Sequence, residues 1–323
     1  MAKKRRRRKK LIRRIRKAPI IITLLVVIAV VGILLWQNGV FDRDDNGRDD
    51  DNDSPIIIVG EGEEVSFHII DVGQGDAILI RTGEGNMLID SGDLSSDSQE
   101  KLASYLEAEG IESFEYVVFT HTDADHIGSG DIIINNYDVK TVIMPDYQAT
   151  TKVFGRLVDA IEEKEVDLIL IGEDKDCTKS GYTFSLGPIT HTVMAPTEDF
   201  SDPNEMSVVI KSVYGETSIL LTGDAEEKSE EAMLEEYERG ELDVDILKAG
   251  HHGSSTSTTQ EFFDELTPEA VIISCGEGNK YGHPHKEILD MCADAEVEVY
   301  RTDKNGTVVI RTDGVTYTIE TEK

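Results

Sequence analysis

Cysteine is scarce in this chain, with three in 323 residues, at Cys177, Cys275 and Cys292. Odd in number and widely spaced, they read neither as a disulfide framework nor as a metal site; Cys275 ends an apolar strand and belongs to a core, and one disulfide outside a cell stays open. Basic side chains are also few: 32 Lys and Arg stand against 64 Asp and Glu. The shortage is uneven. Residues 1–17 hold 12 of the basic residues and no acidic one, leaving 20 basic against 64 acidic over residues 18–323, a net charge of −44. Extended contact with a polyanion normally draws on Lys and Arg, so a surface this acidic disfavours it at low salt. No internal repeat is visible. What remains is ample for a core, since 39% of the residues are hydrophobic, and disorder of the whole chain is excluded.

The basic start runs into "APIIITLLVVIAVVGILLW", residues 18–36, with no charged side chain. At about 1.5 Å per residue this stretch spans roughly 28 Å, close to the apolar thickness of a bilayer. It predicts a single membrane-spanning helix with residues 1–17 cytoplasmic and the rest of the chain outside. A cleaved signal is the competing reading, but no A-x-A site follows the apolar run. Residues 37–63, rich in Asp, Asn and Gly, predict a flexible acidic linker. Residues 64–323 then suit one α/β domain.

Within that domain, "VSFHIIDV", "AILIRT" and "NMLIDSG" read as opening strands and "SDSQEKLASYLEAEG" as a helix with an acidic start and a terminal glycine. "FEYVVFT" is the next strand. Further strands are expected at "KTVIMPD", "VDLILIG", "YTFSLG", "ITHTVMAP", "SVVIKSVYG", "TSILLTGD", "DVDILKAG", "AVIISCG" and "EVEVY", and helices at "AEEKSEEAMLEEYERG", before Pro268 and from near Pro284. The Asp-Gly in "GTVVIRTDGVTYTIE" signals a closing hairpin. Sheets inside and helices outside is the packing this order implies.

The chemistry concentrates in "FTHTDADHIG", residues 119–128, where a strand ends. In extended backbone His121 and Asp123 point the same way, and Asp125 and His126 follow where the chain turns. Imidazole nitrogens and carboxylate oxygens so spaced can hold two cations, one per pair. A lone H-x-D would more simply be an acidic surface loop; the extended motif is far more specific.

This motif resembles the H-x-[HED]-x-D-H signature of the metallo-β-lactamase superfamily of metal hydrolases, and other segments match it in order. "MLIDSG" places Asp90, "LLTGDAE" places Asp224, whose family counterpart bridges two metals, and "LKAGHHGS" supplies the late histidine, His251 or His252. Closer still, "HIIDVGQGDAILI", "DPNEMSVVI", "LKAGHHGSSTSTTQEFF", "ISCGEGNKYGHPHKEIL" and "RTDKNGTVVI" resemble the hydrolase domain of the ComEC competence proteins. The resemblance covers roughly residues 65–312. It implies an αββα sandwich of two mixed sheets with outer helices, two divalent metal ions, Zn²⁺ or Mn²⁺, and the ligands His121, Asp123, Asp125, His126, Asp224 and His251. One departure stands out: Ala195 occupies the place where many members carry a further histidine. His191, four residues earlier on the same strand face, is a weak substitute, because strand histidines mostly pack or hydrogen-bond. An oxygen-rich ligand set shifts preference toward Mn²⁺.

Two such cations acidify a shared water, and the resulting hydroxide attacks a phosphodiester without a protein nucleophile. Asp125 belongs to that catalytic group. His283 is the candidate donor to the developing charge, Asn204 and Ser207 candidate substrate hydrogen-bonders, and Asp71, Gln74 and Asp76 the loop beside the site; for this loop a simple strand-to-strand turn is an equal alternative. His252 is an alternative late ligand. His285 could cap the helix after Pro284, and His68 reads as an ordinary strand residue. The resemblance implies DNA as substrate, or another phosphodiester, and the bilayer as a partner through residues 18–36. Strong salt, which shrinks the Debye length to about 3 Å at 1 M, would reconcile the acidic surface with DNA and predicts a salt-adapted source. A hydrolase of a small ester, lactone or β-lactam, and a metal-binding sensor without catalysis, are the alternatives.

Overall fold

The computed structural model describes residues 63–172, 174 and 177–323. The expected basic segment, the membrane helix at 18–36 and nearly all of the linker lie outside the described residues. Among those described, no helix is long and apolar enough to cross a membrane.

The described residues open with β1 (Val65–Ile69), β2 (Ile78–Thr82) and β3 (Gly85–Ile89), joined by the loop 70–77 and the turn 83–84 and paired antiparallel. Three crossovers then build parallel strands: α1 (Ser96–Ala108) leads to β4 (Ser113–Val118), α2 (Gly130–Asn136) to β5 (Asp138–Pro145), and α3 (Lys152–Lys164) to β6 (Asp167–Ile171). Parallel neighbours need such long connections, because a two-residue turn cannot reverse the chain twice. A second series repeats the plan. β7 (Thr183–Leu186), β8 (Ile189–Ala195), β9 (Val209–Tyr214) and β10 (Thr217–Leu221) run antiparallel. Parallel β11 (Ile246–Lys248), β12 (Ala270–Ile273) and β13 (Glu298–Arg301) follow through α4 (Glu227–Glu236), α5 (Gln260–Leu266) and α6 (Lys286–Asp294). The hairpin β14 (Val308–Thr312) and β15 (Tyr317–Thr321) returns to the edge of the first sheet. Its turn is closed by Asp313 Oδ1, which accepts from Val315 N and Thr316 N, both at 2.9 Å.

The strand orders are β15-β14-β1-β2-β3-β4-β5-β6 and β13-β12-β11-β10-β9-β8-β7. Alternation along each strand sorts the side chains. Ile219, Leu221, Ile246 and Ile272 join Phe67, Ile80 and Ile89 of the first sheet in the core between the layers. Their neighbours Leu220, Leu247, Val271 and Ile273 point the other way, under Met233 of α4, Phe262 and Phe263 of α5 and Ile288 of α6. The outer face of the first sheet is covered too: Leu79, Leu88, Val117 and Val142 are fully buried, as are Leu102 and Leu106 of α1 and Leu157 of α3. This is the expected αββα sandwich of two mixed sheets. Helices α2 and α3 are additions to the expected elements, although the buried Val153, Phe154, Leu157, Val158 and Ile161 of α3 recur at helical spacing.

Candidate metal centre

Asp90 follows β3, His121 follows β4, Asp224 follows β10, and His251 and His252 follow β11. All four are carboxyl ends of strands that take part in parallel pairing, where a crossover leaves a crevice. The order of elements alone therefore gathers residues 90 to 252 at one end of the sandwich.

Local chemistry then fixes each side chain. Asp90 sits at φ 60, a conformation costly for a residue with a Cβ, and it is held there by three contacts. Its Oδ1 accepts from Thr120 N (2.8 Å), and its Oδ2 accepts from Thr120 Oγ1 (2.7 Å) and lies 2.7 Å from His126 Nδ1. With Nδ1 turned to Asp90, Nε2 of His126 points at Asp224 Oδ1, 3.1 Å away. His251 (φ 44) and His252 (φ 57) are consecutive left-handed residues, so the tight turn after β11 aims both rings inward. Ser257 Oγ ties that turn by donating to Gly250 O at 2.7 Å. Gly75 is required where it stands: a Cβ there would meet Asp125 O at 2.1 Å, and its φ is +107.

Around Asp224 the Nε2 atoms of His252, His251 and His121 lie 3.5, 3.8 and 3.9 Å from Oδ2. His252 Nε2 is also 3.4 Å from Asp125 Oδ2. Two ligands of one tetrahedral ion at about 2.1 Å stand about 3.4 Å from each other, so these separations suit atoms facing a shared cation. They do not suit direct hydrogen bonding. His121 Nε2, His126 Nε2, His252 Nε2 and Asp224 Oδ1 are all buried and without a hydrogen-bond partner. Orphaned buried polar atoms are costly, and four converging on one point call for a bound ion. One atom each from Asp76, His126, Asp224 and His252 fall within 4.8 Å of one another.

The electrostatics agree. Burial opposes charge on His126, yet the Asp224 and Asp90 carboxylates outweigh it and hold the imidazole protonated well above its ordinary range. Burial likewise opposes charge on His252, but Asp224, Asp125 and Asp76 push it up to about 10. His121, buried and beside the charged His126, is pushed down to about 3, chiefly by burial.

Not every expected residue joins. His191 is fully buried on β8, 2.9 Å from Ser212 Oγ and stacked on Phe184 at 5.0 Å. Ala195 lies four residues on, about 13 Å along an extended strand, so His191 cannot substitute for a ligand there. Ser207, at 0% exposure, accepts from Asp224 N at 3.2 Å; it supports that aspartate and is closed to substrate. Asp71 accepts from Gly73 N in its own turn and faces Lys101 and Lys323. His285 is the N-cap residue of α6, but its side chain makes no capping bond; it accepts from Ser255 N at 2.8 Å. His68 bonds Tyr105 and Ser66. Asp123 stays at the exposed rim, with its carboxyl pushed up by partial desolvation and by Asp125. Asn204 stands beside Glu226, which also binds His251 Nδ1 at 2.7 Å. Both amide atoms of Gln74 are buried without a partner. His283 closes the histidine array, its ring 5.4 Å from His251 and 6.2 Å from His252, and burial pushes it down to about 4.

Two features escaped the sequence. Lys248 and Asp76 form a buried ion pair at 2.6 Å, 1% and 2% exposed, and Asp76 Oδ1 lies 3.4 Å from His252 Nδ1. Asp76 is thus behind a metal-facing histidine. The deep grouping also holds His252, with His251 nearer the opening.

This crevice between two mixed sheets, lined by H-x-D-x-D-H and Asp224, is that of the metallo-beta-lactamase superfamily, whose profile matches residues 70–277; the chain belongs to that superfamily. Among characterised relatives it is 31% identical over 268 residues to ComE operon protein 3 of Bacillus subtilis (strain 168), covering 78% of this chain and 33% of that protein. It is 27% identical over 244 residues to Competence protein ComA of Neisseria gonorrhoeae (75% and 32%), and 30% identical over 243 residues to Recombination protein 2 of Haemophilus influenzae (74% and 28%). The chain spans about a third of the length of these relatives, and the resemblance to competence proteins seen in its motifs holds along most of its own length.

Proposed function

We propose that this chain is a metal-dependent phosphodiesterase acting on DNA, held at the outer face of a membrane by residues 18–36. The observation that carries the metal dependence is the convergence of unpartnered His121, His126 and His252 Nε2 atoms on Asp224. The DNA reading draws on the relatives, whose names concern competence and recombination.

Residues on either side of Asp224 would hold two divalent cations. His126 and His252, with Asp125, would hold one; His121, with Asp123 and His251, would hold the other. The mix of imidazole and carboxylate suits Mn²⁺ or Zn²⁺. Such ions supply an acidified water near neutral pH and a counter-charge for a phosphoryl oxygen. The protein does the rest. Asp90 fixes the tautomer and direction of His126, and Ser274 O, 3.1 Å from His252 Nδ1, does the same for His252. His283, a neutral imidazole at the mouth, donates a hydrogen bond to charge that develops on the substrate.

The test is cleavage of plasmid, single-stranded DNA and bis-p-nitrophenyl phosphate by the purified protein with Mn²⁺ or Zn²⁺, at low and high salt. DNA cleavage lost on chelation and in Asp125→Ala is expected. Ester turnover without DNA cleavage would replace the DNA reading with a small-ester hydrolase, and metal uptake without any turnover would leave a sensor.

A further inference from the structure

We propose that Tyr281 is a nucleobase-stacking platform at the mouth of the site, so that the preferred substrate is a single strand whose base lies on this ring while a neighbouring phosphodiester reaches the metal centre. The inference rests on the phosphodiesterase reading and specifies its substrate.

Four described large hydrophobic side chains are exposed: Leu94, Ile132, Tyr281 and Val315. Tyr281 is the aromatic one, at 51% exposure, and it is the one beside the histidines. Its ring stacks on His283 with centroids 5.6 Å apart and planes at 23°. His283 in turn meets His251 edge-on at 5.4 Å. One ring therefore separates Tyr281 from the metal-facing residues.

The segment that presents Tyr281 is tied down. Asn279 Oδ1 accepts from Tyr281 N (3.2 Å) and His283 N (3.0 Å), while its Nδ2 donates to Gly276 O (3.0 Å) and His283 O (2.6 Å). His285 Nε2 stands 3.3 Å from Tyr281 O. An aromatic ring held open to solvent on a fixed segment binds without a large ordering cost. Lys280 is exposed, its Nζ 4.9 Å from the Tyr281 centroid. An exposed cation–π contact is weaker than base stacking, so a base can displace this ammonium, which is then free for a phosphate.

Charge decides between modes of binding. Residues 18–323 carry a net −44, so a long track of phosphate contacts is disfavoured. Stacking needs no positive charge, and a single strand offers bases whose faces are not already covered by stacking within a duplex.

The experiment compares kcat/KM of the full protein with Mn²⁺ on two single-stranded oligonucleotides of equal length, one with all its bases and one abasic across its centre. Wild type is expected to prefer the base-bearing strand. Tyr281→Ala is expected to reduce that preference at least about fivefold, the lower end of stacking on one aromatic ring, and Tyr281→Phe to keep it. A purely structural role, exerted through His283, would lower both rates by the same factor. That outcome, or a ratio unaffected by Tyr281→Ala, overturns the platform while leaving the nuclease reading intact. If wild type cleaves neither strand, the nuclease reading fails and the platform with it.

Discussion

Replacing Lys248 by methionine keeps the volume of its stem and deletes one charge of a fully buried pair. The Nζ to Asp76 distance of 2.6 Å corresponds to about 6 kcal/mol of attraction at an effective dielectric of 20. Most of that is offset by taking both ions out of water, so the pair itself adds little. The single variant is another matter, because it strands an Asp76 side chain only 2% exposed. Breaking a buried pair in this way costs about 3–5 kcal/mol, a large share of the 5–15 kcal/mol that holds a typical domain. In the native protein, burial pushes the Asp76 carboxyl up, but Lys248 and His252 more than reverse it and keep it below the usual range. Without Lys248 the largest of the opposing effects is gone, and the folded-state pKa of Asp76 is expected to rise. The deficit should therefore be largest at neutral and alkaline pH and shrink as pH falls and Asp76 takes up a proton. Urea unfolding of metal-free wild type, Lys248→Met, Asp76→Asn and the double variant measures this as a cycle. The double variant should regain about 2 kcal/mol over the sum of the single losses. A Lys248→Met cost below about 1 kcal/mol, or strictly additive losses, would refute the reasoning.

Asp90→Ala removes the acceptor that orients His126 and should weaken metal affinity about 10- to 100-fold by isothermal titration, with the fold retained by circular dichroism. Paired replacement of His191 and Ser212 by Phe and Ala should leave metal content unchanged, which element analysis by mass spectrometry checks. The same pair probes acid stability. Burial pushes His191 down to about 3, so between pH 6.5 and that value the unfolded chain binds a proton that the folded one refuses, and stability falls as pH falls. Wild type should thus lose about 1.5 kcal/mol more than the variant between pH 6.5 and 5 in urea titrations. Cleavage of DNA should rise between 0.1 and 1 M salt, as screening relieves repulsion by the acidic surface; a steep fall, as for a basic nuclease, would contradict this.

Much of this architecture is legible in the residues. β-branched runs with Gly turns announced the strands around Phe67 and Ile80, and the Asp313-Gly314 pair announced the last hairpin. The site was legible where ligands are close in sequence, as in His121 to His126. It was illegible where partners come from distant segments. Nothing in "LKAG" or "GQGD" says that Lys248 and Asp76 will meet, since only the parallel placement of β11 and the turn after β1 brings them together. The choice between His251 and His252 likewise depends on left-handed backbone at both, which sequence spacing does not encode. Ser207 looked available for substrate because its burial behind Asp224 is a property of the closed sandwich.

The most direct test of the central claim is anomalous scattering from crystals grown with Mn²⁺ or Zn²⁺. Two peaks flanking Asp224 are predicted, each about 2.0–2.2 Å from its nearest ligand atoms, one touching Asp125, His126 and His252 and the other His121. Crystals with the metal in solution but no peak beside Asp224, and with His121, His126 and His252 turned to other partners, would contradict the account.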